Sequence, residues 1–177
     1  NVMNALCAAA AAAAAGATPE ALVDGLARVQ PVSGRLQYKR GQQGAQLIDD
    51  SYNANPASMR AAVDVLAARD GRRWFVMGDM GELGGDAEAM HAELGHYAKQ
   101  AGIDRLFAVG KMSHAAAESF GAGGLHFEDW KSLASTLACE LASDVTVLVK
   151  GSRSMRMERV VSALEEKEQD TGNNHAA

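Results

Sequence analysis

Polar side chains are concentrated in one short turn, residues 49–56 (DDSYNANP), between an apolar run and a segment with helical periodicity. The run at residues 46–48 is typical of a buried strand, and residues 57–66 predict a helix. Open α/β sheets bind their ligands beyond the carboxyl ends of the strands, which is where this turn would lie. Its carboxylates, phenol and carboxamides therefore indicate a binding or catalytic role.

Part of this turn also has a simpler explanation. Asn55 is a good helix N-cap, Pro56 suits the first helical position, and Asn53 could adopt a left-handed turn conformation. Capping accounts for Asn55 and Pro56 but not for Asp50, Tyr52 and Asn53 together. A functional role is therefore favoured for the turn as a whole, while Asn55 stays open between capping and binding.

Two further loops follow predicted strands, so in a parallel sheet they are expected to open on the same edge as the turn at residues 50–55. Residues 78–84 (GDMGELG) are rich in glycine, but their spacing is not that of a dinucleotide or P-loop motif. The favoured interpretation is a tight loop in which Asp86 helps to start the next helix. Residues 150–153 (KGSR) offer two cations and a hydroxyl, which suit a carboxylate or phosphate. The alternative there is a solvated loop with Ser154 capping the final helix.

Arg35 follows Gly34 at the predicted boundary between two domains, where ligand clefts often occur. A lone arginine is otherwise a solvated surface residue, so only its position makes it a candidate. His91, His96 and His114 have no metal-ligand spacing with cysteines or acids and are predicted to be core or surface residues. The sequence has neither a Gly-x-Ser-x-Gly motif nor a plausible cysteine–histidine pair, which argues against a hydrolase with such a nucleophile.

The composition is that of an ordinary globular protein, with 177 residues, 47% hydrophobic content and a net charge of −5. No basic stripe is present, so nucleic acid is not an expected partner. Cys7 and Cys139 lie in apolar helical runs and are predicted to be reduced, buried thiols of a cytoplasmic protein. The alanine run at residues 8–15 lacks the features of a secretory signal, and no segment approaches the ~18 apolar residues of a membrane span.

Two helices are predicted before a linker at residues 29–34. Because two helices cannot bury a core by themselves, residues 1–33 are interpreted as the end of a preceding domain and its linker. Residues 34–168 are predicted to form one α/β domain, and the polar residues 169–177 a flexible tail.

Strands alternate with helices after the linker, which predicts a mostly parallel sheet with helices on both faces. The first two strands are expected to pair as an antiparallel hairpin. The apolar runs at residues 74–77 and 145–149 are typical of central strands. The predicted strands are 36–39, 46–51, 73–77, 106–109, 125–127 and 145–149, and the predicted helices are 2–15, 18–28, 56–68, 86–101, 113–120, 129–142 and 155–167.

Several segments, in this order, resemble the Mur ligase family of peptidoglycan synthesis. The resemblance spans nearly the whole chain, and it implies the C-terminal Mur ligase domain preceded by two helices from the end of the central ATPase domain. The implied fold is a Rossmann-like, mostly parallel sheet with one antiparallel strand. The matching segments are NVMNAL (1–6), VSGR (32–35), DDSYNANPASM (49–59), GDM and ELG (within 78–84), and KGSR (150–153) with Met157 and Glu158.

The resemblance implies a set of nucleotide contacts. Asn1 and Asn4 would lie near the adenine, and Arg35 would reach the ATP phosphates or ribose and act as the catalytic residue. Asp50 would accept the ribose hydroxyls, a natural task for a carboxylate. Tyr52 would line the cleft that faces the adenine.

The resemblance also implies a site for the peptide substrates. Asn53 and Asn55 would face the adenine and the incoming dipeptide, and Lys150, Ser152 and Arg153 would hold substrate carboxylates. No metal ligand is assigned to this chain. The P-loop, the Mg²⁺ ligands and the UDP-binding domain of the family lie in N-terminal and central domains that the chain does not match.

The implied reaction is the ATP-dependent ligation of D-alanyl-D-alanine to UDP-N-acetylmuramoyl-tripeptide through an acyl phosphate. The turn at residues 50–56 is what points to this pair of substrates, because the relative that adds a diamino acid carries a Tyr-Ala-His type turn. Cytoplasmic synthesis of peptidoglycan precursors, and with it cell wall biogenesis, cell shape and cell division, would be the biological setting. The chain alone is expected to be inactive because the missing domains would be needed.

Two alternatives stay open at this point. The chain could be a non-catalytic α/β module that binds a nucleotide or another anion and only shares the topology. It could also be part of a related folylpolyglutamate-type ligase, although the turn at residues 50–56 argues against that interpretation.

Overall fold

The computed structural model describes residues 2–29 and 32–166, which form two compact units divided after Val32. This division lies close to the predicted domain boundary. The assignment of the first unit to a preceding domain stays a prediction. Asn1 and the predicted tail at residues 169–177 lie outside the described residues.

The first unit consists of α1 (Val2–Ala14) and α2 (Pro19–Ala27). Gly16, with a φ of 91°, follows the end of α1, and the Thr18 side chain caps α2 by accepting a hydrogen bond from the backbone N–H of Ala21. Both features were predicted from the glycine and from the Thr-Pro pair. Within the described part of this unit neither helix has a buried residue, so the two helices have no core of their own.

The second unit is built on a sheet whose six described strands have the order β1-β2-β6-β3-β4-β5. Strands β1 and β2 are antiparallel and every other neighbouring pair is parallel, which confirms the predicted fold class. The strands are β1 (Gln37–Arg40), β2 (Gln46–Asp50), β3 (Arg72–Gly78), β4 (Arg105–Val109), β5 (Gly124–Phe127) and β6 (Val145–Lys150). The helices are α3 (Pro56–Ala67), α4 (Ala87–Gln100), α5 (His114–Phe120), α6 (Trp130–Glu140) and α7 (Glu158–Leu164).

Helices cover both faces of this sheet. Phe75 and Leu148 pack on the face covered by α3, α4 and α5, whereas Trp74 and Val147 pack on the face covered by α6 and α7. Successive side chains of a strand point to opposite faces, so a strand buried on both faces must be apolar throughout. This explains the continuous apolar runs of β3 and β6 and confirms that both strands are central.

Strand β6 lies between β2 and β3, although it is the last strand in the chain. The register pairs Lys150 at its end with Asp50 of β2 on one side and with Met77 of β3 on the other. Because these strands are parallel, the loops that follow β2, β6 and β3 are neighbours at one edge of the sheet.

The last helix begins later than predicted. A 3₁₀ turn at Arg153–Met155 is followed by Arg156 in a left-handed conformation (φ 49°), and α7 begins only at Glu158. A left-handed residue cannot continue a right-handed helix, so the predicted start at residue 155 is wrong. Ser154 therefore does not cap α7; its hydroxyl instead lies 3.0 Å from that of Ser152.

The predicted burial of the two cysteines is also wrong, since Cys7 and Cys139 are both exposed. The buried face of α6 includes Leu133 and Leu137. Cys139 comes two residues after Leu137, which is a rotation of about 200° and places it on the opposite side of the helix. An apolar sequence around a cysteine thus did not decide which face of the helix the thiol occupies.

Replacing Leu148 with alanine tests the central position of β6. Leu148 is fully buried, so Leu148→Ala should lower the free energy of unfolding by about 2–5 kcal/mol through lost apolar contacts and a cavity. Leu125→Ala on the edge strand β5 is a matched control that should cost less, because Leu125 is 38% exposed. Urea titration measures both values, and equal losses would contradict the central placement.

Candidate functional site

Three loops line an open cavity of about 560 Å³ at the carboxyl edge of the parallel strands. This volume lies within the usual range for small-molecule sites, roughly 300–1,000 Å³. The loops are those that follow β2, β3 and β6, and their convergence on one edge was predicted from the sequence. The lining residues are Asn53, Ala54, Asn55, Gly81, Glu82, Leu83, Ser152, Arg153 and Ser154.

The turn after β2 is fixed by backbone contacts on two sides. Asp49 accepts hydrogen bonds from the backbone N–H and the hydroxyl of Ser51 at 3.1 and 2.6 Å. The N–H of Tyr52 donates to the carbonyl of Gly34 at 3.0 Å. Gly34 has a φ of 72°, and a Cβ there would lie 2.9 Å from the Tyr52 nitrogen. Only glycine therefore lets the segment that carries Arg35 approach the turn so closely.

Asp50 and Lys150 form an ion pair below the turn. The Lys150 Nζ donates to the Asp50 Oδ2 at 2.6 Å and to the Asn53 carbonyl at 2.8 Å. The Lys150 side chain is only 4% exposed and that of Asp50 13%. Asp50 also accepts a hydrogen bond from the backbone N–H of Leu36 at 3.2 Å. Two of the three N–H donors of Lys150 thus hold the turn in place.

Two arginines that were predicted to be site residues lie close to the ring of Tyr52. The guanidinium carbon of Arg35 is 4.6 Å from the ring centroid and that of Arg153 is 6.0 Å from it. Such cation–π contacts place both positive charges beside a ring that is 43% exposed. Arg153 also lies 3.4 Å from a carboxylate oxygen of Glu158. The cluster provides a positively charged aromatic surface that suits a phosphate or carboxylate next to a planar group.

Asn55 caps α3, as the simpler explanation predicted. Its side chain accepts a hydrogen bond from the Ser58 N–H at 2.8 Å, and the Ser58 hydroxyl accepts one from the Asn55 N–H at 3.0 Å. Asn55 nevertheless lines the cavity, so capping and binding are compatible. Asn53 is not left-handed; its side chain accepts a hydrogen bond from the Ala54 N–H at 2.9 Å.

The loop after β3 lines the cavity, although a plain tight loop was the interpretation that the sequence favoured. Its residues Gly81, Glu82 and Leu83 line the cavity. Asp86 occupies the N-cap position of α4, but its side chain makes no capping hydrogen bond. The loop is instead held by His91, whose Nε2 accepts a hydrogen bond from the Met80 N–H at 2.9 Å.

Asp79 connects three loops and was not singled out from the sequence. Its side chain accepts hydrogen bonds from the N–H groups of Met112 and Ser113, at 3.1 and 2.8 Å, in the loop after β4. Its carbonyl accepts one from Ser152 at 2.9 Å. A Cβ on Gly110 would lie 2.4 Å from the Asp79 side chain. The sequence signal that could have indicated this connection is that residues 110–113 directly follow a strand, as the other site loops do.

The remaining candidates and exclusions concern other parts of the chain. Asn4 is exposed on α1 in the first unit, and Asn1 falls outside the described residues. Across residues 2–29 and 32–166, no three His, Cys, Asp or Glu side chains are grouped so that they could hold a metal ion. No helix in those ranges is long and apolar enough to cross a membrane.

Comparison with known proteins identifies relatives of this chain. Residues 34–153 match the family described as "Mur ligase, glutamate ligase domain". The UDP-N-acetylmuramoyl-tripeptide--D-alanyl-D-alanine ligase of Escherichia coli (strain K12) is 49% identical over 94% of this chain. That match covers 37% of the relative, so the chain spans a little over a third of the length of such curated relatives.

Solved structures of proteins named MurF are also similar to this chain. MurF from Acinetobacter baumannii is 36% identical with a TM-score of 0.82, over 93% of this chain and 37% of that one. MurF ligase from Thermotoga maritima, solved in complex with ADP, is 30% identical with a TM-score of 0.66, over 78% of this chain and 32% of that one.

Substituting Asn55 separates its capping role from any other. Asn55→Ala should lower the free energy of unfolding by about 0.5–2 kcal/mol, because the first turn of α3 loses its side-chain acceptor. Asn55→Asp is the control and should stay close to the wild type, since aspartate caps about as well as asparagine. Thermal or urea unfolding measures the difference, and equal stability of all three proteins would contradict the capping role.

Breaking the Asp50–Lys150 pair should be costly. Lys150→Met leaves the largely buried Asp50 carboxylate without its partner, which typically destabilises a protein by about 3–5 kcal/mol. The double variant with Asp50→Asn should recover part of that loss, because no unpaired charge remains. A urea-unfolding cycle of the two single variants and the double variant measures the coupling; additive losses would contradict a direct interaction.

Proposed function

The chain belongs to the Mur ligase family, and we propose that it forms the C-terminal part of an ATP-dependent ligase that joins D-alanyl-D-alanine to UDP-N-acetylmuramoyl-tripeptide. The observation that carries this proposal is the cavity in which Asn53 and Asn55 meet Ser152 and Arg153. The printed names of the relatives supply the substrate pair. The setting would be peptidoglycan precursor synthesis in the cytoplasm, where ATP is available.

Asp50, Arg35 and Tyr52 form the proposed nucleotide contacts of this chain. The Asp50 carboxylate has about four lone-pair sites, and the contacts with Leu36 and Lys150 occupy two of them. It therefore keeps the capacity to accept hydrogen bonds from ribose hydroxyls. Arg35 would face the phosphates, and the exposed ring of Tyr52 would face the adenine. The ADP bound to the Thermotoga maritima relative supports a nucleotide site in this family.

ATP would supply the phosphoryl group that turns the tripeptide carboxylate into an acyl phosphate for attack by the dipeptide amine. We propose that this edge of the sheet closes over the nucleotide and keeps water away from that activated group. Arg35 would offset negative charge that develops on the phosphates. The family resemblance implies that the Mg²⁺ ligands belong to the central domain, so we assign the metal to the part of the complete protein that this chain does not span.

The cavity would hold the dipeptide. Arg153 and Ser152 would bind its carboxylate, because a guanidinium and a hydroxyl are good partners for such a group. The carboxamides of Asn53 and Asn55 would contact its peptide unit. Lys150 is buried and already paired; we therefore propose that it orients Asp50 and Asn53 instead of binding a substrate carboxylate itself.

Residues 1–33 are proposed to be the last helices of the central domain and the linker. The support is that α1 and α2 bury no residue in the described range and leave Val2, Met3 and Leu6 exposed. Apolar side chains of this number normally pack against a larger core. In that domain Asn1 and Asn4 would lie near the adenine.

A hybrid ligase tests the proposed function. In this hybrid, the chain replaces the region that it matches in the Escherichia coli relative, and phosphate release from ATP is measured. Release that requires both D-alanyl-D-alanine and UDP-N-acetylmuramoyl-tripeptide is the expected result. Nucleotide binding without turnover, in a correctly folded hybrid, would favour the non-catalytic binding module instead.

In the hybrid ligase, Asp50 and Arg35 should affect different kinetic constants. Asp50→Ala should raise the KM for ATP about tenfold to a hundredfold, since a hydrogen bond to a charged group is worth about 1.5–3 kcal/mol. Arg35→Ala should lower kcat more than it raises that KM, because its contact would strengthen as charge moves on the phosphates. Arg60→Ala, at a partly exposed arginine that pairs with Glu93 on the protein surface, is the control.

Asp50→Asn keeps the size of the side chain and shows how much of the Asp50→Ala effect comes from lost charge. Because both substitutions leave the buried Lys150 without its carboxylate partner, urea unfolding must show that each variant is folded under the assay conditions. The unmodified 177-residue chain should bind ATP weakly or not at all in a calorimetric titration. Micromolar binding by the chain alone would contradict this division of roles. Wild-type kinetics in both the Asp50 and Arg35 variants would show that these residues are only structural.

A further inference from the structure

The cavity contains one acidic and one basic side chain among its nine described lining residues. Glu82 supplies the carboxylate and Arg153 the guanidinium, while the other lining residues are neutral. A site that carries one charge of each sign suits a ligand that is itself dipolar. A free dipeptide is such a ligand, because it has an amino group at one end and a carboxylate at the other.

Glu82 has a backbone conformation that is uncommon for its residue type. Its φ is 61°, in the left-handed region, where a side chain with a Cβ is disfavoured. Such conformations persist only where the surrounding structure imposes them, and they concentrate at ligand sites. Here the loop is held just before Glu82 by the Met80 N–H bond to His91 and by the Ser152 N–H bond to the Asp79 carbonyl.

The Glu82 carboxylate is also available for a ligand. Within residues 2–29 and 32–166 it has no hydrogen bond or ion pair, whereas Asp50 is paired with Lys150 and Glu158 lies next to Arg153. Glu82 is exposed and lines the cavity. Its loop, the one after β3, carries none of the residues that the family resemblance assigned to substrate. An extended dipeptide measures roughly 7 Å, which a cavity of about 560 Å³ accommodates.

We propose that Glu82 is a specificity-determining residue that accepts hydrogen bonds from the amino group of the dipeptide substrate. Together with Arg153 at the carboxylate, it would select free dipeptides and fix which end faces the acyl phosphate. This inference rests on the proposed function, which assigns the dipeptide to this cavity. It adds a residue and a chemical feature of the substrate that the resemblance did not supply.

Steady-state kinetics of the hybrid ligase test the inference. Glu82→Gln removes the charge and keeps the shape, whereas Glu82→Gly removes the side chain and relieves the left-handed strain. Both should raise the KM for D-alanyl-D-alanine about tenfold to a hundredfold, the loss expected for one charge-assisted hydrogen bond. The KM for ATP should not change. Glu88→Gln, at an exposed acid on α4 that does not line the cavity, should match the wild type.

A substrate analogue separates the two ends of the site. D-alanyl-D-alanine amide keeps the amino group but has no carboxylate. The Glu82→Gln substitution should impair the free dipeptide and the amide by the same factor, whereas Arg153→Gln should impair only the free dipeptide. The carboxylate end is thereby assigned to Arg153, and the unchanged KM for ATP separates Glu82 from a residue that merely shapes the loop.

The outcomes distinguish this inference from the proposed function. A wild-type hybrid that folds but does not ligate overturns the proposed function and this inference with it. An active Glu82→Gln hybrid with an unchanged KM for the dipeptide overturns only the role of Glu82. An equal rise in the KM for ATP also overturns that role, because Glu82 would then act through the loop and not on the amino group. Melting temperatures no lower than that of the wild type exclude unfolding as the cause.

Discussion

The position of β6 between β2 and β3 is the constraint on which the site depends. It brings together three loops that are far apart in the sequence, because parallel strands end at the same edge. The Lys150 ammonium at the end of β6 then reaches Asp50 and the Asn53 carbonyl across the neighbouring strand. In a buried setting this ion pair fixes the geometry of the turn, since an alternative arrangement would leave a charge unpaired.

Close backbone approach makes this arrangement possible. Gly78 ends β3 and Gly151 follows β6, and a Cβ on Gly151 would lie 2.6 Å from the Met157 side chain and 3.2 Å from the Gly78 Cα. A Cβ on Gly78 would in turn lie 2.9 Å from the Met157 sulfur, so both glycines allow this close packing beneath the loops. The two loops can then be joined through the Ser152 N–H and the Asp79 carbonyl.

The residues of the site thus fall into two groups, those that hold the loops in place and those that are available to a ligand. Asp49, Asp79 and His91 are committed to hydrogen bonds that hold the loops, whereas Glu82 and Arg153 line the cavity. Rigid loops reduce the entropy that a small ligand would otherwise lose on ordering its site. Asp50 combines both functions: it is paired with Lys150, and its remaining lone pairs are proposed to accept ribose hydroxyls.

The sequence by itself determined the fold class, the order of strands and helices, and the loops that contain the site. Periodicity and strand-end position are local signals, and they were enough to predict the hairpin, the central strands and the cap at Asn55. The late start of α7 after Arg156 and the left-handed Glu82 were decided by tertiary structure, whereas the exposed face of Cys139 follows from the helical period once the buried leucines of α6 are known. The Glu82 loop is held by contacts between residues distant in the chain, and a single sequence does not record which of those side chains are already paired.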